Sequence, residues 1–191
     1  MATAARSQRL DIRRAQLLDV LADHVLEHGL STASLRPLAK AAGTSDRMLL
    51  YYFEDKAELV AAILGVIAGR LAAELAQRVV DERLPLPTLR ARLASVLLGE
   101  AVWPFMAVWL ELASLSARDP VYRRVAEDIS RGFLAWAEAQ LDSADDVTRA
   151  RDAALLLVMI EGMTVLKSVG LGDIAQQAFS EPGEDRARSS A

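Results

Sequence analysis

Apolar residues recur along almost the whole chain at spacings of three and four, and no stretch alternates convincingly with a spacing of two. This pattern is typical of helices that bury one face, and the abundance of Ala and Leu favours helix further. The sequence therefore predicts an all-α protein. The expected helices span about residues 10–28, 35–42, 46–52, 56–80, 88–99, 103–117, 120–141, 147–169 and 174–179.

Glycine, proline and small polar residues mark the ends of these helices. Gly29 and Gly43 directly follow the first two helices, where glycine commonly serves as a C-terminal cap. Thr44 or Ser45 is expected to serve as the N-cap of the third helix. Pro85 and Pro87 are expected to interrupt the chain between the fourth and fifth helices, because proline disrupts a helix interior.

The first three predicted helices form one unit, a long helix followed by two short ones that meet at Gly43. This is the plan of a helix-turn-helix module, whose last helix lies in the major groove of DNA. That helix begins with side chains suited to base edges. Arg47 suits guanine, Asp46 can accept a hydrogen bond from cytosine, and Met48 can contact a thymine methyl group.

Two segments of this unit carry a family resemblance. Residues 35–45 are LRPLAKAAGTS and residues 50–59 are LYYFEDKAEL. Together they resemble the second helix, turn, recognition helix and start of the fourth helix in the TetR family of transcriptional regulators. The resemblance covers residues 10–64. Beyond them, only the order and lengths of the helices resemble the family's ligand-binding and dimerisation half.

Side-chain chemistry and the resemblance together indicate the DNA contacts. Lys56, at the start of the fourth helix, is expected to bind phosphate with help from the helix dipole. Leu50 departs from the family pattern, in which tyrosine is common, so that a usual phosphate contact is missing there. The full expected set is Arg36, Thr44, Ser45, Asp46, Arg47, Met48, Tyr51, Tyr52 and Lys56.

Charge is unevenly distributed along the chain, whose formal net charge is −4. Residues 1–56 hold eight basic and seven acidic side chains, and four of the eight are arginines within residues 1–14. We expect residues 1–9 to form a basic flexible arm that reaches DNA, with plain solvation as the alternative. The predicted division then continues with a helix-turn-helix domain at 10–56, a helical ligand-binding and dimerisation domain at 57–180, and a disordered tail at 181–191.

The second half concentrates large apolar side chains, which in a helical bundle suit a cavity for a small apolar or aromatic effector. Glu111 and Glu161 either face such a ligand or pair with an arginine such as Arg118 or Arg123. The expected ligand-binding residues are Trp103, Phe105, Met106, Trp109, Glu111, Phe133, Trp136, Met159 and Met163.

The predicted helix at 147–169 is apolar on nearly every side and must be buried on both faces. One face can pack within its own subunit, and the other suits a twofold partner. Its expected interface residues are Leu155, Val158, Gly162 and Leu166. The resemblance implies that this helix and its predecessor form a four-helix bundle with a second copy.

A competing motif is present in the first helix. His24, Glu27 and His28 fit the H-x-x-E-H pattern of a class of zinc peptidases. The chain holds only these two histidines and no cysteine, so a catalytic zinc would need an Asp or Glu as its third protein ligand. No glycine-rich nucleotide motif is present either. We therefore expect a protein without catalysis, metal or cofactor, with a zinc peptidase or a helical interaction protein as the alternatives.

These observations predict a cytoplasmic transcriptional repressor that binds a palindromic operator as a homodimer and is released by a small effector. The absence of cysteine fits a reducing compartment. The strongly apolar stretches, such as residues 153–160, are shorter than the roughly 18 residues that suggest a membrane span. No secretion signal or membrane partner is expected.

Overall fold

The computed structural model describes residues 2–78 and 82–179, with side chains from residue 8 onward. The described residues form α1 (Ala2–His28), α2 (Leu35–Ala41), α3 (Asp46–Tyr52), α4 (Lys56–Arg78), α5 (Leu86–Leu97), α6 (Trp103–Ser116), α7 (Pro120–Gln140), α8 (Asp146–Ser168) and α9 (Gly172–Phe179). A short 3-10 helix, Leu30–Thr32, joins α1 to α2. The all-α prediction is confirmed, and the tail predicted at 181–191 lies outside the described residues.

The helix ends differ from the predictions at three places. Helix α1 already begins at Ala2, so the segment predicted as a flexible arm is helical from that residue on. Helix α5 begins at Leu86, with Pro85 as its N-cap and Pro87 in its first turn. Proline is tolerated there because the first amides of a helix have no intrahelical acceptor. The 3-10 helix after Gly29 was not predicted.

The chain divides into two compact units. The first comprises Met1–Leu71 and Ala107–Glu127, and the second comprises Ala72–Met106 and Asp128–Ala191. The boundaries fall inside α4, α6 and α7, so each of these helices contributes to both units. The predicted boundary between the DNA-binding and ligand-binding domains, at residues 56 and 57, stays a prediction. Compact units are defined by packing, and their limits need not coincide with those of functional domains.

The first unit has an apolar core to which α1, α2, α3, α4 and α6 contribute. Leu21, Leu38 and Leu49 supply one fully buried side chain each from α1, α2 and α3. Phe53 fills the same core directly after α3. The core is completed by Leu59, Ile63 and Leu64 of α4 and Leu112 of α6.

Helix α4 is 23 residues long and apolar enough to match a membrane span by length and composition. A single helix of this kind is weak grounds for a membrane protein, because core helices of soluble proteins have the same composition. Its buried residues Leu59, Ile63 and Leu64 contribute to the core of the first unit.

The second unit packs α5, α8 and α9 around Leu89, Leu93 and Leu156. Its irregular segment before α5 is held at the end of α7. The amide of Leu84 donates to the carbonyl of Gln140, and the amide of Asp142 donates back to the carbonyl of Leu84. Both Leu84 and Leu141 are buried at this junction.

Candidate DNA-binding site

A glycine turn separates α2 from α3. Gly43 has a φ of +61°, a left-handed conformation that L side chains rarely adopt. Its amide donates to the carbonyl of Lys40, and the amide of Thr44 donates to the carbonyl of Ala39. These two bonds form a Schellman motif, which satisfies carbonyls at the end of α2. The predicted C-cap is confirmed, and it fixes where the chain leaves α2.

Helix α3 is anchored at both ends and exposed along most of its length. The hydroxyl of Ser45 accepts a hydrogen bond from the amide of Met48 at 3.3 Å, which confirms the predicted N-cap. Leu49 is fully buried and Phe53 ends the helix in the core. Of the seven residues of the helix, five are exposed and Tyr52 is half-buried.

The exposed side chains of α3 include most of those that the sequence predicts for DNA, together with Leu50. Asp46, Arg47 and Met48 are exposed, and Tyr51 leaves 58% of its surface accessible. Tyr52 is half-buried, and its ring lies edge-on to that of Tyr51 with a centroid separation of 5.2 Å. The ring of Tyr51 is thus accessible to a partner, and the half-buried ring of Tyr52 packs against it.

The remaining predicted contacts surround α3 in sequence. Arg36 in α2 and Lys56 at the start of α4 are exposed, whereas Thr44 is half-buried. Within residues 8–78 and 82–179, Arg36, Arg47 and Lys56 form no ion pair with a described partner. Their charges are therefore open to an external anion such as phosphate.

The start of α4 differs electrostatically from the expectation. The carboxylate of Asp55 accepts a hydrogen bond from the amide of Glu58, and that of Glu58 accepts one from the amide of Glu54. These two carboxylates cap the helix in the manner of a capping box. They also offset the positive end of the helix dipole, so Lys56 supplies positive charge mainly through its own ammonium group.

Arg14 connects this capped end of α4 to α1. Its guanidinium lies 2.6 Å from the carboxylate of Glu58 and over the ring of Phe53, 4.7 Å from the ring centroid. The sequence indicated Arg14 only as one of the four arginines within residues 1–14. A cation over a buried aromatic ring that also pairs with an acid is a structural link, so Arg14 ties the start of α4 to α1.

A second link between α1 and α4 lies further along both helices. The guanidinium of Arg70 pairs with Asp23 at 2.6 Å and with Asp19 at 3.0 Å. Burial lowers the pKa of Arg70, but the hydrogen bonds and charges of Asp23 and Asp19 outweigh it and raise the pKa overall. The spacing of the two acids, four residues apart on one helix, is the only signal that the sequence offered.

The expected ligand-binding residues divide between the two units. Trp109 and Glu111 belong to the first unit, and the other seven belong to the second. Met106 and Met163 are buried, and the rings of Phe133 and Trp136 lie 5.7 Å apart. The remaining members, Trp103, Phe105 and Met159, are half-buried.

Trp103 has a cation on its ring. The ammonium group of Lys167 lies 4.6 Å from the ring centroid and also bonds the carbonyl of Leu98 and the carboxylate of Glu100. In α8, the buried hydroxyl of Thr164 donates a hydrogen bond to the carbonyl of Ile160. The ring of Trp103 and the hydroxyl of Thr164 are thus already in contact with groups of this chain.

Glu111 has a partner that the sequence did not suggest. Its carboxylate accepts a hydrogen bond from the backbone amide of Ser31 at 2.9 Å. Of the two arginines considered as partners, Arg118 is exposed and Arg123 donates to the carbonyl of Ser116. The carboxylate therefore lies at the turn between α1 and α2.

The predicted interface residues of α8 are mostly exposed. Leu155, Val158 and Gly162 are exposed, but Leu166 is half-buried. The exposed line continues instead through Val165 and Val169. A side chain built at Gly162 would meet nothing within 4 Å.

The histidine motif forms a local stack. The rings of His24 and His28 lie 4.5 Å apart, and Nδ1 of His28 bonds the carbonyl of His24 at 3.1 Å. In the described part of the chain, no group of three or more His, Asp or Glu side chains is arranged to hold a metal ion. The structure offers no third ligand for the zinc alternative among these residues.

Helix α2 packs into the core, the left-handed turn at Gly43 follows it, and α3 buries only Leu49 while most of its other side chains are exposed. This arrangement defines a helix-turn-helix DNA-binding regulator. Comparison with known proteins agrees. The family described as bacterial regulatory proteins, tetR family, matches residues 17–63. The HTH-type transcriptional regulator BetI of Burkholderia cenocepacia is 31% identical over 178 residues, which cover 92% of each chain. The chain belongs to the TetR family.

Solved structures share the fold. A transcriptional regulator from Rhodococcus sp. RHA1 superimposes with a TM-score of 0.68 at 24% identity, covering 87% of this chain and 91% of that one. A regulator from Saccharomonospora viridis in complex with choline gives a TM-score of 0.64 at 17% identity, covering 88% and 94%.

Family membership decides between the function classes left open by the sequence. The protein is a DNA-binding transcriptional regulator and not an enzyme, so the zinc peptidase alternative is wrong. An interaction protein without DNA binding is excluded on the same grounds. TetR-family regulators bind DNA and small-molecule effectors.

Proposed function

We propose that this chain is a cytoplasmic homodimeric repressor, which binds an inverted-repeat operator through two copies of α3 and is released by a small effector. The observation that carries the proposal is the surface of α3, where Arg47 and Tyr51 are exposed while Leu49 anchors the helix, and Lys56, four positions after its end, is exposed as well. Arginine suits guanine edges and lysine suits phosphate. One copy of so short a reading helix covers only a half-site, so two are needed.

The exposed line on α8 supports the dimer. Leu155, Val158, Gly162, Val165 and Val169 follow one another at alternating spacings of three and four, the pattern of a helix seam packed against another helix. Val158 leaves 69% of its surface accessible in the single chain. A line of this kind favours burial by a partner, because contiguous exposed apolar surface is unfavourable in water.

Helix α7 offers small side chains that suit the same partner. Gly132, Ala135 and Ala139 are exposed at spacings of three and four. A side chain built at Gly132 would meet nothing within 4 Å. Small residues allow two helices to approach closely, so α7 and α8 of two copies are suited to a four-helix bundle.

The effector is proposed to be small and apolar or aromatic. The supporting feature is the set of large apolar side chains in the second unit, above all the neighbouring rings of Phe133 and Trp136. Such surfaces bind ligands through apolar burial, with a few polar groups fixing orientation.

A quaternary ammonium compound is the second candidate. A structural neighbour holds choline, and aromatic rings attract such cations. Trp103 already accommodates the ammonium group of Lys167 on its ring. A ligand cation is therefore better placed at Phe133 and Trp136 than on that face of Trp103.

The first test is selection of random double-stranded DNA by the purified protein. The affinity for the enriched sequences is then measured by fluorescence anisotropy at two salt concentrations. The proposal expects an enriched inverted repeat, two chains per site and a steep fall in affinity with salt. Weak binding without sequence preference would contradict it.

The effector is then tested on the operator complex with two molecules of the same shape. Choline carries a trimethylammonium group, and 3,3-dimethylbutanol carries a neutral tert-butyl group in its place. Release by choline alone favours the cationic effector, and release by both favours the apolar one. If neither molecule releases the operator, neither a quaternary ammonium group nor a neutral group of the same shape is sufficient for release, and both of these small-ligand assignments are wrong. A Trp136→Ala variant that responds like the native protein would remove this ring from the site.

A further inference from the structure

The turn between α1 and α2 receives a carboxylate from a distant part of the sequence. Glu111 in α6 accepts a hydrogen bond from the amide of Ser31 through Oε2 at 2.9 Å. Its other oxygen lies over Gly29, because a β-carbon built at Gly29 would stand 2.6 Å from Oε1. Both carboxylate oxygens therefore face the same turn, and all of these residues belong to the first unit.

The local hydrogen bonds of the turn leave the Ser31 amide to this carboxylate. The amide and hydroxyl of Thr32 both donate to the carbonyl of Gly29, and the amide of Ala33 donates to that of Leu30. The first amides of a helix have no acceptor within the helix. A carboxylate is a strong acceptor for such an amide, because a hydrogen bond to an ionised group is stronger than one between neutral groups.

The turn has little freedom to compensate if this carboxylate is removed. Gly29 has a φ of +85°, and Leu30 is buried in the core of the first unit. The chain passes from Ala33 directly into α2, whose first amide bonds include that of Leu38 to the carbonyl of Ser34. A change at Ser31 is thus close enough to change the direction in which α2 begins.

We propose that Glu111 is a positioning residue for operator recognition. Its carboxylate holds the Gly29–Ser31 turn, so that the position of α6 sets the direction of α2 and with it the presentation of α3. The proposal rests on the proposed function, since it requires a specific operator. Glu111 itself does not contact DNA in this scheme.

The test compares Glu111→Ala, Glu111→Gln and the control Asp142→Asn. Asp142 is an exposed acid that follows α7, so its variant also removes one negative charge. Three quantities are measured for each protein: operator affinity at several salt concentrations, thermal unfolding, and hydrogen exchange of the Ser31 amide. The expected result is an operator affinity reduced roughly tenfold in Glu111→Ala, a typical size for coupling between sites.

Three details distinguish positioning from general damage. Glu111→Gln retains an acceptor oxygen and should recover part of the affinity. The dependence of affinity on salt should stay unchanged, because no phosphate contact is lost. Exchange at Ser31 should accelerate more than exchange in α4, whereas general destabilisation would accelerate both.

Native operator affinity in Glu111→Ala would overturn the inference. If the native protein enriches no DNA sequence, the proposed function fails separately. The exchange measurement then still decides whether Glu111 holds the turn, and unchanged exchange at Ser31 in Glu111→Ala overturns that role as well.

Discussion

Helices α3 and α8 expose different mixtures of side chains. Helix α3 buries Leu49 and exposes Arg47 and Tyr51 beside the apolar Met48 and Leu50, whereas the exposed line of α8 around Leu155 and Val158 is apolar. Charged and hydroxyl-bearing groups are well solvated in water, but exposed aliphatic groups gain free energy only when they are buried. The contrast fits the two proposed partners, a nucleic acid for α3 and a second copy of the chain for α8.

The largest expected effect comes from breaking the apolar side of this contrast. Gly162→Trp places a large ring in the line of Leu155, Val158 and Val165, where the single chain has room for it. The monomer should fold, but two copies should no longer pack closely. Operator affinity should fall by roughly a hundredfold or more, because two linked modules gain that much over one.

Sedimentation velocity and operator titration check this expectation. Gly69→Trp is the matched control, since Gly69 is also an exposed helical glycine with nothing within 4 Å of its added β-carbon. A Gly162→Trp protein that sediments as a dimer with native operator affinity would place the interface elsewhere.

The next effect comes from the reading side chain of α3. Arg47→Ala should reduce affinity for the operator by about 1–3 kcal/mol and relax the preference at one base pair. Affinity for unrelated DNA should change little. Anisotropy titration against operator and scrambled DNA measures both, with the exposed Arg118→Ala as control. Equal losses on the two DNAs would assign Arg47 to the phosphate backbone instead.

A smaller and different effect is expected at the start of α4. Lys56→Ala should weaken binding to every DNA sequence. It should also make the plot of log affinity against log salt less steep by about 0.9, the amount expected for the loss of one phosphate contact. The reason is that its ammonium group provides charge without base information, while Asp55 and Glu58 already satisfy the local helix end. A native salt slope would remove Lys56 from the interface.

The smallest effect concerns the caps of the two helices. Helix α3 begins with neutral Ser45, and α8 begins with Asp145, whose carboxylate accepts a hydrogen bond from the amide of Thr148 at 2.7 Å. That backbone hydrogen bond lowers the pKa of Asp145. The native form is therefore favoured above the ordinary pKa of aspartate, near 3.9, and this contribution is lost as the pH falls through the lower pKa of the folded state.

Asp145→Asn retains a good N-cap but cannot titrate. Its thermal stability should match that of the native protein at neutral pH, and the native protein should lose more stability than the variant below about pH 4. Parallel curves for the two proteins down to pH 2 would show that the cap does not depend on charge.

Sequence signals sufficed where a structure depends on residues within a few positions. Gly43 and Ser45 fix the ends of α2 and α3 through bonds to residues no more than five positions away, so their roles were predictable. The proline pair before α5 was misjudged for a local reason. Pro85 and Pro87 occupy the start of a helix, where proline is tolerated, rather than a long interruption.

Contacts between distant segments were not predictable. Ser31 and Glu111 lie 80 positions apart, and a lone glutamate among apolar residues is equally consistent with a ligand, an arginine or a backbone amide. The interface line shows a subtler limit. Adjacent positions in a helix point about 100° apart, so exchanging Leu166 for Val165 changes the exposed face without changing the apolar pattern.

The turn at Gly29 has an evolutionary consequence. A β-carbon at position 29 would lie 2.6 Å from the flexible end of the Glu111 side chain, on a backbone with a φ of +85° that L side chains rarely adopt. The carboxylate can move aside, but the backbone strain stays, so position 29 should remain glycine in descendants of this chain whatever happens at position 111. Position 111 should keep a hydrogen-bond acceptor for as long as the Ser31 amide depends on it.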